Sequence, residues 1–266
     1  MLILRRMMLC ALFGGLLMVC ALSRPAFPAA PDVGDTVWDQ LLRWHVRDGL
    51  VDYAGIQAES SQLEQYLEAL AHTPQLWSSK AAELAFWINA YNACVMKGVL
   101  DHQPIRSVKD VKGFFDQMHY RVAGESLTLN QIEAKGRALG DWRMHMAVVC
   151  ASSSCPPLRS EAYQTEHLDD QLAEQARDFL RDTRRGLRLD GDALWLSQVF
   201  KWYAQDFVPG RRPGLFQRLT VGDLLPVIQP YLEPRLADQI ASRKPTIRFL
   251  DYDWSLNEQW VSHQAR

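Results

Sequence analysis

Two cysteines separated by four residues carry the most reactive chemistry in this chain. Cys150 and Cys155 flank Ala151-Ser152-Ser153-Ser154, a loop flexible enough to bring two Cα atoms within the roughly 6 Å that a disulfide needs. Either thiol could act as a nucleophile if a nearby base or helix dipole lowered its pKa. The pair could equally close the loop as a disulfide, or exchange between the two states. The amides of residues 152–154 could also form an anion-binding concavity. One C-x4-C without a second ligand pair is not a zinc pattern, so the spacing calls for no metal and no cofactor. Cys94, in an apolar helical run, reads as a buried free thiol.

A nucleophilic thiol needs a base, and His145 and His119 are the candidates. Residues 144–150 (MHMAVVC) read as a strand, and on a strand His145 and Cys150 face opposite sides about 16 Å apart. Cys155 could meet His145 more easily if its loop folds back. Asn89 and Asn92, three apart on one helix face, could orient a histidine or stabilise an oxyanion; alternatively they bond loop backbone. Glu133 has capping-box spacing from Asn130, and Arg159 could hold a substrate carboxylate as a bidentate fork, with Tyr91 lining the same site. Asp251 and Asp253 share a strand face at roughly 7 Å, where solvated side chains are commoner than a glycosidase pair.

The positioning elements alternate irregularly. Residues 80–102 are apolar on nearly every side and predict a central buried helix. Amphipathic helices are expected near 35–48, 60–71, 130–139, 165–183, 200–207 and 221–232. Hairpins are expected at 119–129 and 187–196, with a closing strand at 246–256. Helices and antiparallel hairpins without βαβ units predict an α+β fold, a central buried helix packed with a small antiparallel sheet and surrounding helices.

Residues 1–30 read as a leader rather than as fold. Arg5 and Arg6 precede an uncharged apolar run at 9–22, with Pro25 and Pro28 beyond it, which is a secretory pattern. That run falls short of the about 20 residues of a membrane span. Cleavage leaves residues 31–266 as a single α+β domain in the periplasm or outside the cell; anchoring through a lipidated Cys20 is disfavoured by the bulky Val19 before it. Loss of Arg5, Arg6 and Arg24 reduces 29 basic residues to 26 against 31 acidic ones, a charge of −5. No basic field therefore draws the chain to nucleic acid. A small molecule or peptide is the expected ligand. No G-x-S-x-G, P-loop, H-E-x-x-H or G-x-G-x-x-G occurs, which leaves the corresponding enzyme classes unsupported.

Four blocks taken in order, residues 85–92 (AFWINAYN), 124–133 (GESLTLNQIE), 145–158 (HMAVVCASSSCPPL) and 252–257 (YDWSLN), resemble the family catalogued as domain of unknown function 547. The resemblance implies a family of exported bacterial proteins, also found in eukaryotes beside other modules, with no assigned activity. Kinship with papain-like or transglutaminase-like thiol enzymes is compatible with it. Thiol-dependent hydrolysis or transfer on an amide-type substrate is the leading expectation, with Cys150 or Cys155 attacking. A non-catalytic binding or scaffold module stapled by a Cys150–Cys155 disulfide is the alternative.

Overall fold

The computed structural model describes residues 33–208 and 219–259; the leader at 1–30 lies outside them. The fold is α+β. Helix α1, Val33–His45, buries Trp38, Leu41, Leu42 and His45 at helical spacing. Just beyond its end, Asp48 and Gly49 both take positive φ, 52° and 78°, the backbone of a two-residue hairpin turn. That turn joins β1, Val46–Arg47, to β2, Leu50–Val51. Gly49 has a second reason to lack a side chain: a Cβ there would lie 2.3 Å from Cβ of Pro157, two residues past Cys155.

Asp52 caps α2, Tyr53–Ala58, by accepting from the Gly55 amide, and α3, Ser60–His72, packs on α1. Helix α4, Lys80–His102, matches its expected bounds and is capped by Ser79; fifteen of its 23 residues are buried. It forms the axis of the first apolar core. Strands β3, His119–Val122, and β4, Glu125–Thr128, form the expected hairpin, and α5, Leu129–Arg137, follows directly.

Helix α6, Leu168–Arg181, joins this core to a second one. Leu168 and Leu172 belong to the first, while Ala176, Phe179 and Leu180 belong to the second. The second core is closed by β5, Leu187–Asp190, β6, Ala193–Leu196, α7, Val199–Trp202, and α8, Ala204–Phe207. Helices α9, Val221–Ile228, and α10, Pro234–Arg243, complete it, the latter not anticipated from the sequence. Strand β7, Thr246–Phe249, pairs parallel to β6, so the largest sheet is mixed rather than antiparallel. Among the described residues no helix is long and apolar enough to cross a membrane.

The expected strand at 144–150 is absent. Trp142–Met146 is a 3-10 helix capped by Asp141, and the chain continues irregularly to Cys150. An unbroken apolar run carries no period and is compatible with any fully buried conformation. Here the backbone finds side-chain partners in place of a neighbouring strand. Asn92 donates to the Ala147 carbonyl at 3.0 Å and accepts from the Val149 amide at 2.8 Å. Asn89 does the same for Tyr163, at 2.8 and 3.0 Å. The 250–259 tail is likewise not a strand beyond Phe249. It makes single bridges, Ser152 with Leu256, Ser107 with Ser255 and Val51 with Glu258.

Replacing Asn92 with Ala leaves a buried carbonyl and a buried amide unpaired. The expected cost is about 2–4 kcal/mol, read as a lower urea midpoint with an unchanged slope. A midpoint within experimental error of the parent would show that the segment does not need this clamp.

Candidate functional site

The loop after residue 149 turns sharply at Ala151, whose φ is +60°. The turn folds Cys155 back onto Cys150. The two sulfurs lie 2.8 Å apart, and neither is in a disulfide. The Cys150 amide donates to the Cys155 sulfur at 3.0 Å. Cys150 Sγ also meets Ser152 Oγ at 3.1 Å and the Tyr252 hydroxyl at 3.3 Å, and Ser152 donates to Tyr252 at 3.0 Å.

The two thiols therefore differ. The hydrogen bond from Cys155, outweighing burial and helped by Ser152 and Tyr252, lowers the Cys150 thiol to about 7. Burial, with the neighbouring sulfur, pushes Cys155 well up. Cys150 is partly exposed and Cys155 buried. Cys150 is thus the thiol closer to ionising at neutral pH, and Cys155 is the one held protonated. Cys94 is buried and burial raises its thiol too, in line with its expected inert role.

The loop is held by the distant tail. The Ser153 and Ser154 amides donate to the carbonyls of Ser255 and Asp253, and Ser154 Oγ accepts from the Asp253 amide. Two of the three amides of the expected anion concavity, those of Ser153 and Ser154, are thereby occupied. Asn257 fixes the other side, its amide donating to Ala151 and its side chain accepting from Tyr53 at 2.7 Å.

His145 does not reach the sulfurs. Its Nε2 bonds Asp206 Oδ2 at 2.8 Å, and its ring stacks on Tyr203 with centroids 4.1 Å apart. Asp206 also takes a bidentate fork from Arg137, at 2.6 and 3.1 Å. Burial favours the neutral Asp206 acid, but the bonds from Arg137 and His145 win and hold its carboxyl below the usual range. Burial lowers His145 to about 4 despite Asp206. With Nε2–H given to Asp206, Nδ1 is a lone-pair acceptor without a partner. It faces the equally unpartnered Glu133 Oε1 at 4.0 Å. Burial raises Glu133.

The remaining expected site residues fall elsewhere or act structurally. Glu133 is no capping residue: the box is Thr128 with Gln131, and Glu133 is buried one turn later. His119 is exposed on β3, its Nδ1 at the Gln117 carbonyl. Asn89 and Asn92 are committed to backbone, which corrects the oxyanion role. Arg159 bonds Glu161 and Glu174 at 2.8 and 2.7 Å, an ion-pair network rather than a free fork. Tyr91 is buried on α4; burial, together with Glu133 and the two thiols, raises its hydroxyl well up. Asp253 accepts from Ser255 in the tail and forms no strand pair with Asp251.

Sequence reading missed Tyr252, Ser152 and Asp206. The first two lie inside the blocks that carry the resemblance, a usable signal. Nothing in the sequence marks Asp206, 61 residues from His145. Among the described residues no group of three or more His, Cys, Asp or Glu could hold a metal ion. A cavity of about 1040 Å³ opens elsewhere, between α8, α9, α10 and β7 around Val221, Leu225 and Phe249.

Residues 74–180 match the family described as "Protein of unknown function, DUF547". The chain's resemblance to that family is thereby shown over this stretch. It takes in the first three of the four blocks, both thiols, Glu133 and His145. The fourth block, with Tyr252, lies beyond it. No curated protein and no solved structure matches the chain.

Alkylation of Cys150 by iodoacetamide is expected to rise with pH around a midpoint near 7, and Tyr252→Phe to move the midpoint upward. An unchanged midpoint in that variant would remove Tyr252 from the account. His145 gives a second expectation. Its folded pKa of about 4 lies below the unfolded value of about 6.5, so the unfolded chain takes the proton first. Stability therefore falls as pH drops from 6.5 to 4, with Glu133 opposing. Thermal melts of His145→Gln should show a shallower acid decline than the parent.

Proposed function

We propose that the chain carries out thiol–disulfide exchange through Cys150 and Cys155. The observation that carries this reading is the 2.8 Å contact between the sulfur of the partly buried Cys150, with a lowered pKa, and that of the buried Cys155, with a raised one. That asymmetry separates an attacking thiol from a resolving one. Closing the pair to the about 2.05 Å of a disulfide requires less than 1 Å of relative movement.

The Cys150 thiolate attacks one sulfur of a substrate disulfide; a mixed disulfide forms, the substrate S–S bond breaks, and the first substrate thiolate leaves and is protonated. Cys155 then loses its proton and attacks Cys150, forming the internal disulfide and releasing the second substrate thiol. The substrate gains two electrons from the protein dithiol and two protons, one released by Cys155 and one from the solvent that took up the Cys150 proton on ionisation. An external thiol reductant restores the starting state, and the reverse sequence oxidises a substrate dithiol.

Amide hydrolysis, the leading sequence expectation, asks for a base at the nucleophile. Among the described residues no histidine is within hydrogen-bonding distance of either sulfur, which favours exchange. We further propose export through residues 1–30 to the periplasm or outside the cell, an oxidising setting in which such a pair has substrates.

The test is turnover of a fluorescent peptide disulfide with dithiothreitol as reductant. Cys150→Ser is expected to abolish it. Mixed with the peptide disulfide in the absence of dithiothreitol, Cys155→Ser should accumulate a mixed disulfide on Cys150 visible by mass, which the parent resolves. Absence of that adduct in Cys155→Ser would overturn exchange through this pair, and a Cys150–Cys155 bond that resists dithiothreitol would favour the stapled scaffold.

A further inference from the structure

Beside the reactive sulfur stands a surface that the exchange chemistry alone does not use. Trp202, at the end of α7, is 46% exposed. Its ring lies 4.8 Å from that of Tyr252 and 5.8 Å from that of Trp254, and the latter two are 4.7 Å apart. Trp202 and Tyr252 belong to neither apolar core; Trp254 only edges the first. The rings thus pack on one another at the surface.

An isolated exposed apolar residue needs no explanation. Trp44 is one: it is 56% exposed and makes no ring contact among the described residues. The three-ring patch differs because it is continuous with the chemistry. Tyr252 is the ring whose hydroxyl lies 3.3 Å from Cys150 Sγ. At the far side, the exposed Lys109 sets its ammonium 4.1 Å from the centre of the Trp254 ring.

Building on the exchange reading, we infer that Trp202, Tyr252 and Trp254 bind the apolar side chain next to the reactive disulfide of a polypeptide, with Lys109 receiving a carboxylate beyond it. From sulfur to ammonium the patch runs through the Tyr252 and Trp254 rings, a path that a short extended segment follows at about 3.3 Å per residue. A low-mass disulfide such as hydroxyethyl disulfide reaches the sulfur without covering the rings. Rigid aromatic faces also supply contact area at little entropic cost, which is why they dominate recognition of polypeptides.

The experiment compares two peptide disulfides on the full chain, identical except for Phe or Gly beside the reactive cysteine, each with Asp three residues further on. Hydroxyethyl disulfide and glutathione disulfide serve as low-mass substrates. The parent is expected to show a KM about tenfold lower for the Phe peptide than for the Gly peptide, the effect of one well-buried anchor. Trp202→Ala should erase that difference and Trp202→Phe should restore most of it. Trp44→Ala should leave it intact, and Lys109→Gln should raise KM for both peptides. Equal KM values in the parent, a preference unchanged in Trp202→Ala, or glutathione disulfide outcompeting both peptides would each overturn the inference while exchange stands. Reaction with none of the four disulfides would instead overturn the exchange reading, and this inference with it.

Discussion

A buried segment with no sheet to lie in is the constraint on which the rest of this structure depends. Residues 147–155 sit almost wholly inside the protein, where each unpaired backbone group costs on the order of 1–3 kcal/mol. Asn92 supplies two of the missing partners from α4, and the tail at 252–257 supplies others from the far end of the chain. Two unrelated parts of the sequence thus converge on one loop. Holding that loop also fixes the two sulfurs, because Ala151, Ser153 and Ser154, which lie between them, are residues that the tail grips.

The same arrangement explains the electrostatic contrast between the thiols. The tail brings Tyr252 to Cys150, and the tight turn brings Cys155 to it; both can donate to a thiolate. Cys155, deeper in the core, has little beyond the Cys150 amide and so stays protonated. Asymmetry of this kind arises from position, since the two side chains are chemically identical.

His145 and Glu133 illustrate the opposite outcome. Both lie in blocks that point toward chemistry, yet they are drawn to the seam between the two cores, where Asp206 and Arg137 neutralise the imidazole's surroundings. Met144 and Met146, on either side of His145, belong to the first and second cores respectively. The histidine is therefore pinned at a junction that packing dictates. Two unpartnered atoms, His145 Nδ1 and Glu133 Oε1, face each other there at 4.0 Å.

Local rules made much of the architecture legible. The bounds of α4, the hairpins at 119–128 and 187–196 and the mixed class follow from period, turn residues and caps, which act within a few positions of one another. Composition and spacing likewise singled out Cys150 and Cys155. Sequence could not decide the conformation of residues 144–150, because an apolar run buried on all sides has no face to report. Nor could it choose among histidines, since Asp206 and Tyr252 approach from 61 and 102 residues away. Which side chains carry reactive groups is a property of the chain order; which of them touch, and so which proton is loosened, is set by packing between segments that no local pattern connects.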